Sequence, residues 1–108
     1  MIALTHFRDD SADFADRAQA ALSALAARPG YVRGTLARST DDPAAWLLLT
    51  EWENIGSYRR ALGNYEVKLH ATPLLAAALD LPGGFETLVD VAPGGETSAR
   101  GSDLAPGG

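Results

Sequence analysis

The segment Ala45–Glu53, Ala-Trp-Leu-Leu-Leu-Thr-Glu-Trp-Glu, constrains the fold more than any other part of this chain. Its period-two pattern puts Trp46, Leu48, Thr50 and Trp52 on one face and Leu47, Leu49 and Glu51 on the other, as a β-strand requires. Both faces are largely apolar. A sheet carrying helices on one side normally turns its other side to water, so a strand apolar on both sides needs a second cover. In a 108-residue chain, long enough for one domain and too short for two, a second copy is the natural cover. A homodimer is the expectation.

The neighbouring segments arrange themselves around this strand. Residues 2–7 alternate loosely and read as a first strand. Asp9, Asp10 and Ser11 then supply a helix start, with Ser11 as N-cap and Asp13 in the positive first turn. Phe14, Ala18, Ala21, Leu22 and Leu25 follow at helical spacing, one stripe facing a core, until Pro29-Gly30 stops the helix. Residues 31–39 alternate as a second strand, with Tyr31, Arg33, Thr35 and Ala37 on one face and Val32, Gly34 and Leu36 on the other. The turn Thr40-Asp41-Asp42-Pro43 leads into the central strand.

After that strand, Asn54 caps a short helix over 55–62, which Gly63-Asn64 ends. Two further helical pieces are expected, Tyr65–Ala71 and Pro73–Leu79, with Pro73 at a first helical position. Pro82-Gly83-Gly84 is a turn and Phe85–Val91 a last strand. The order β-α-β-β-α-β is the ferredoxin-like, split βαβ arrangement: an α+β fold with a four-stranded antiparallel sheet and helices on one face. Ten of residues 92–108 are Gly, Pro, Ser or Thr and only Leu104 is a large apolar residue. Such a segment buries too little to offset ordering entropy of roughly 1–2 kcal/mol per residue. The expected organisation is therefore a domain over 1–91 and a flexible tail over 92–108.

Composition removes several functions. Fourteen acidic against nine basic residues, net charge −5, argue against nucleic acid, which needs clustered Lys and Arg. The absence of Cys rules out disulfides, thiolate metal sites and cysteine catalysis. His6 and His70 stand far apart without an acidic partner, so no metal site is expected. No apolar run approaches the roughly 20 residues of a membrane helix, and Met1 to Phe7 lack the features of a signal peptide. The expectation is a cytoplasmic protein. Eight Arg against one Lys, with abundant Ala and Gly, suggests a GC-rich bacterial genome. Gly83-Gly84 and Gly94-Gly95 open no helix after a strand and read as turns, not phosphate cradles.

The run Pro29-Gly30-Tyr31, the strand end Thr50-Glu51-Trp52-Glu53, and Tyr58 six residues after Trp52 resemble the antibiotic biosynthesis monooxygenase family over about residues 1–91. The resemblance implies a dimeric α+β barrel, in which two sheets pack face to face. It spans several chemistries: cofactor-free quinone-forming monooxygenases, quinol monooxygenases, haem-degrading enzymes and proteins without known activity. By likeness to the quinone-forming branch, Trp52 and Tyr58 line a pocket beneath the helices. Trp52 would stack on an aromatic substrate and donate its indole N–H, and Tyr58 would donate to a substrate carbonyl. His70 lies about where the haem-degrading branch carries its iron-ligating His, and here would serve as base or oxyanion partner toward a phenol. Thr5, Leu48 and Thr50 would line the substrate pocket.

Each of these residues also has a plainer reading: a core Trp at a strand end, a core Tyr with its hydroxyl at the rim, a His on a helix surface, ordinary strand Thr. The sequence departs from both branches. The haem-degrading branch needs an Asn on the first strand and a Trp on the helix, where this chain has Thr5 and Ala61, so haem degradation is not expected. The quinone-forming branch has an Asn four residues before its Trp, here Leu48, and an Arg on a later helix near His70–Thr72. The resemblance thus implies a cofactor-free monooxygenase acting with dioxygen on an aromatic or polyketide-like phenol. The alternative is a non-catalytic dimeric module that binds a small aromatic molecule or serves a structural role.

Overall fold

The computed structural model describes residues 1–101. The elements are β1 (Ile2–Arg8), α1 (Phe14–Ala26), β2 (Tyr31–Arg38), β3 (Ala45–Trp52), α2 (Ile55–Leu62), α3 (Tyr65–His70), α4 (Thr72–Leu75), β4 (Gly84–Phe85), β5 (Val89–Val91) and β6 (Thr97–Ala99). Strands one to four form one antiparallel sheet in the order β2-β3-β1-β4, and the helices pack on one of its faces. The α+β, ferredoxin-like arrangement read from the sequence is the one observed. Among the described residues no helix is long and apolar enough to cross a membrane.

The β1–β3 register decides which side chains face the helices. Ala3, Thr5 and Phe7 stand opposite Thr50, Leu48 and Trp46 on the helix side, while Ile2, Leu4 and His6 stand opposite Glu51, Leu49 and Leu47 on the open side. The α1 stripe falls where its spacing puts it: Phe14, Ala18, Ala21 and Leu25 are buried, together with Val67, Ala71 and Leu74 from α3 and α4 and the segment between them. The alanines let α1 lie close to the sheet, and an aromatic stack supplies bulk, with Phe14 5.3 Å from Phe7 and 5.0 Å from Trp46 between ring centroids.

Five local features depart from the expectations. Ser11 does not cap α1, which begins at Phe14 with Asp13 at the N-cap position. The Ser11 amide donates to Asp9 Oδ1 at 2.8 Å and its hydroxyl to the same oxygen, so the local Asx turn outcompetes the cap. The helical piece from Pro73 ends at Leu75 instead of Leu79. The Leu79 amide donates to the His6 carbonyl at 2.8 Å and the Leu4 amide to the Gly83 carbonyl at 2.7 Å, so residues 79–83 satisfy the β1 edge that the two-residue β4 leaves open.

Tyr31 lies on the opposite side of the sheet from the one its alternation gives. The β2–β3 register shifts between Tyr31 and Arg33, so Tyr31 stands opposite Trp52 on the helix side and Arg33 opposite Glu51 on the open side. A β-bulge at Val32 turns the strand by one residue. The expected strand Phe85–Val91 is also split. With Phe85 already opposite Ile2, the chain beyond it runs past the start of β1, and Val89–Val91 pairs with Thr97–Ala99 instead. That hairpin occupies part of the segment expected to be a flexible tail; residues 102–108 of that expectation lie outside the described residues.

Gly30 shows why Pro29-Gly30-Tyr31 takes the form it does. Its φ is +87°, and a Cβ placed on it would collide with Oγ and Cβ of Ser57 on α2. The turn therefore needs glycine on two grounds: the backbone conformation and the close approach of α2. Gly30→Ala should destabilise the protein by about 1–3 kcal/mol through overpacking alone, with the positive φ adding to it. Urea unfolding of Gly30→Ala beside Gly30→Ala/Ser57→Gly separates the two: the double variant should recover the steric part only. Unchanged stability in the single variant would refute this account of the turn.

Candidate functional site

Trp52 ends β3 under the α2 helix, 2% exposed. Its ring meets Tyr31 edge-on at 5.4 Å and 87°, and Tyr58 at 5.7 Å. The bulge at Val32 brings Tyr31 into this contact. Asn54, in extended conformation, caps α2 by accepting from the Ser57 amide at 2.8 Å and fixes where the helix starts. Tyr58 follows one turn later and so lands over Trp52. The indole N–H is already engaged, donating to Thr50 Oγ1 at 2.8 Å. Trp52 and Thr50 thus form a satisfied buried pair, and the ring acts as a pillar beneath Tyr58.

Above this pillar lies a cleft of about 450 Å³ between the sheet and the helices, lined by Thr5, Tyr58, Leu62, Thr72, Leu75 and Ala76. Thr5 reaches it from the helix side of β1, Tyr58 and Leu62 from α2, Thr72 and Leu75 from α4. Among the described residues the lining is apolar except for three hydroxyls, with no carboxylate, imidazole or cationic side chain. Burial pushes the Tyr58 pKa above its ordinary value, so the phenol keeps its proton and serves as a donor. An apolar recess with a few hydroxyl donors suits a flat ring system carrying oxygen atoms.

The six residues singled out in the sequence separate into three groups. Tyr58 and Thr5 line the cleft. Trp52, Thr50 and Leu48 are buried and do not line it; Trp52 touches Tyr58 and lines a second recess on its other side, beside the β5–β6 hairpin. His70 lies apart, exposed on α3 with Nε2 3.3 Å from Glu66 Oε2 one turn away, and it does not line the cleft. The residues not anticipated are Leu62, Thr72, Leu75 and Ala76. Leu62 comes from the end of α2, while Thr72, Leu75 and Ala76 depend on where the chain breaks at Pro73, which lacks the N–H that would carry a helix through.

Among the described residues no group of three or more His, Cys, Asp or Glu is placed to hold a metal ion. A second recess, about 370 Å³, lies between the β5–β6 hairpin and the sheet and is lined by Glu51, Glu53, Asp90 and Arg100 among others. It is charged and formed partly by the exposed hairpin, where the lining of the first is mostly apolar.

The fold recurs among known proteins. Residues 1–71 match the family model described as antibiotic biosynthesis monooxygenase. Deoxynogalonate monooxygenase of Streptomyces nogalater is 32% identical over 77 residues, 71% of this chain and 65% of that protein. The chain thus aligns with a little under two thirds of that relative's length. Among solved structures, SnoaB, a cofactor-independent oxygenase from Streptomyces nogalater, superposes with a TM-score of 0.64 at 23% identity, covering 96% of each chain. A conserved protein from Methanosarcina mazei superposes with a TM-score of 0.61 at 16% identity, covering 77% of this chain and 84% of that one. The two superpositions speak to the fold, and the family match and the curated relative to the lineage: this chain belongs to the antibiotic biosynthesis monooxygenase family.

Proposed function

We propose that this protein is a cofactor-independent monooxygenase that oxidises a polycyclic phenol or hydroquinone with dioxygen, in the cleft beneath α2 and α4 and as a homodimer. The observation that carries the reading is the cleft itself: an apolar wall of Leu62, Leu75 and Ala76 facing the hydroxyls of Thr5, Tyr58 and Thr72. The relatives support it, one being a monooxygenase and another a cofactor-independent oxygenase by name.

Ground-state dioxygen reacts slowly with closed-shell molecules, so the substrate must give up an electron itself. A phenolate does so readily. It passes one electron to dioxygen, and the resulting superoxide and ring radical join through a new C–O bond at the para carbon. That carbon then loses its proton as the O–O bond breaks, leaving a carbonyl. One oxygen atom ends in the quinone. The other leaves as water, with the phenolic and ring protons. Tyr58 donates a hydrogen bond to the ring oxygen and so holds the substrate as its phenolate, the form that gives up the electron, while Trp52 holds Tyr58 in place. No proton is routed through His70, which stands exposed beside Glu66.

The dimer reading rests on the open face of the sheet. Ile2, Leu4, Leu47 and Leu49 share that face, with Phe85 beside Ile2, and Leu47 and Phe85 are 36% and 44% exposed. Two such faces packed together close the barrel.

Oxygen uptake with 1-naphthol and other naphthols whose para carbon bears hydrogen tests the reading. Wild type should consume oxygen well above the uncatalysed rate. Tyr58→Phe, which keeps the ring over Trp52, should lose about 10²–10³-fold in turnover, as removal of one oxyanion donor does. Uptake unaltered by Tyr58→Phe would move the chemistry out of this cleft. Tight naphthol binding without uptake would favour the non-catalytic module.

A further inference from the structure

We infer that the cleft selects a phenol which arrives already ionised, and that Thr72 is the residue that sets this preference. The inference rests on the oxygenase reading and narrows its substrate class. It would take a ring hydroxyl acidified by a fused ring or an electron-withdrawing carbonyl, in preference to a simple phenol.

The argument starts from what the cleft contains. Thr5 of β1, Tyr58 of α2 and Thr72 of α4 approach it from three elements, and none of their hydroxyls is hydrogen-bonded to another described residue. Each hydroxyl can turn its hydrogen toward one oxygen atom. An anionic oxygen accepts all the hydrogens aimed at it. A neutral phenol must spend its own proton on one of the three, and so gains fewer bonds, each of the weaker, uncharged kind.

Among the described residues, none that could remove the proton lines the cleft; Glu51 of β3 faces the open side of the sheet and Glu53 follows the strand's end. On α2 the charged residues are Arg59 and Arg60; on α3 they are Glu66, Lys68 and His70. After α4 comes Asp80, and β1 carries His6 and Arg8. Arg59, Arg60, Glu66, Lys68, His70, Asp80 and Arg8 are exposed, His6 is on the open side of the sheet, and none of them lines the cleft. Burial keeps Tyr58 protonated, a donor and not a base. A substrate that must lose its proton therefore loses it to water before entry, and its own acidity governs the rate.

Thr72 is where specificity concentrates. Thr5 is fixed within the sheet and Tyr58 belongs to the general oxyanion machinery. Thr72 sits at the exposed mouth, at the first position of the four-residue α4, and it is there because Pro73 interrupts the helical run. It stands at the entrance, where a ring hydroxyl would be met first.

The test uses the full chain and a set of ring-substituted 1-naphthols of differing acidity. Binding is followed by quenching of tryptophan fluorescence and turnover by oxygen uptake, each across pH. The midpoint of the binding curve, and of the kcat/KM profile, should move from naphthol to naphthol with that compound's own pKa. Thr72→Val should weaken binding of the anionic form about tenfold, the loss expected for one hydrogen bond to a charged group, and change binding of the neutral form about twofold or less. Thr72→Ser should restore the anion preference. A midpoint that stays fixed as the naphthol changes assigns the proton to the protein and overturns the inference while leaving the oxygenase reading intact. Binding that follows the ionised fraction with no oxygen uptake at any pH overturns the oxygenase reading and leaves the selection in place. Equal loss for both forms in Thr72→Val, or no naphthol binding at all, also overturns the inference.

Discussion

Trp52→Ala should lower the unfolding free energy by about 3–5 kcal/mol, the range for removing a fully buried large aromatic side chain. Three losses combine. The ring is 2% exposed and fills the space between the sheet, Tyr31 and Tyr58, so alanine leaves a cavity. The Thr50 hydroxyl, itself 3% exposed, loses the indole donor at 2.8 Å and is left buried with its bond broken. Tyr58 loses its floor. Against a total stability of about 5–15 kcal/mol for a small domain, this places the variant at the edge of folding. Trp52→Phe should lose less, because a ring remains under Tyr58. Urea unfolding of both variants measures the difference. A loss below about 1 kcal/mol in Trp52→Ala would show that the residue is not the packed pillar described above.

Leu47→Asp combined with Leu49→Asp should turn a dimer into a monomer without unfolding the protomer. Both side chains project from β3 to the open face, away from the buried cluster that α1, α3 and α4 form with the sheet. Burying a leucine contributes about 1.5–3 kcal/mol, and a two-fold interface counts each position twice. Two carboxylates added per copy would also be desolvated, so the dissociation constant should rise by several orders of magnitude. Sedimentation at micromolar concentration should give twice the 11.3 kDa chain mass for wild type and the single mass for the variant, with unchanged circular dichroism. Wild type sedimenting as a monomer would refute the dimer. The argument for it was available from the sequence in the two-sided apolar pattern of residues 45–53, and the structure adds the side chains that share the open face with it.

Period and punctuation made much of the fold legible. The stripe Phe14, Ala18, Ala21, Leu25 and the alternation of β3 are long, regular signals, and Asn54 announces a helix start by its side chain; Asn64, read as the end of one helix, also caps the next. What was not legible depends on register. A single bulged residue, Val32, reverses the side on which Tyr31 lies, and alternation alone carries no mark of it. The split of the expected last strand follows from where β4 meets β1, a tertiary fact. The hairpin after it did leave a local trace. Gly94 and Gly95, with φ of +89° and +93°, form the turn between Val89–Val91 and Thr97–Ala99, and a Gly pair flanked by β-branched residues is a hairpin signal. Composition outweighed it in the reading of the tail.

The site divides in the same way. Trp52 and Tyr58 were singled out through the family resemblance, and the structure brings the two rings within 5.7 Å. The role expected of the Trp52 N–H was not legible, since Thr50, two residues away on the same strand face, takes that hydrogen bond. His70 drew notice as an ionisable residue near the working pH range, but one turn of α3 pairs it with Glu66 on the surface. Thr72 escaped notice because threonine near a helix start is common, and only the tertiary fold brings it into one cleft with Thr5 and Tyr58.

Turnover of 1-naphthol under isotopically labelled dioxygen, followed by mass spectrometry of the quinone, tests the central claim most directly. The account predicts one labelled oxygen atom in each quinone formed by wild type, undiminished after exhaustive treatment with metal chelators, and formation of that product largely lost in Tyr58→Phe. Quinone whose new oxygen comes from water, or a labelled product that Tyr58→Phe forms as fast as wild type, would contradict it.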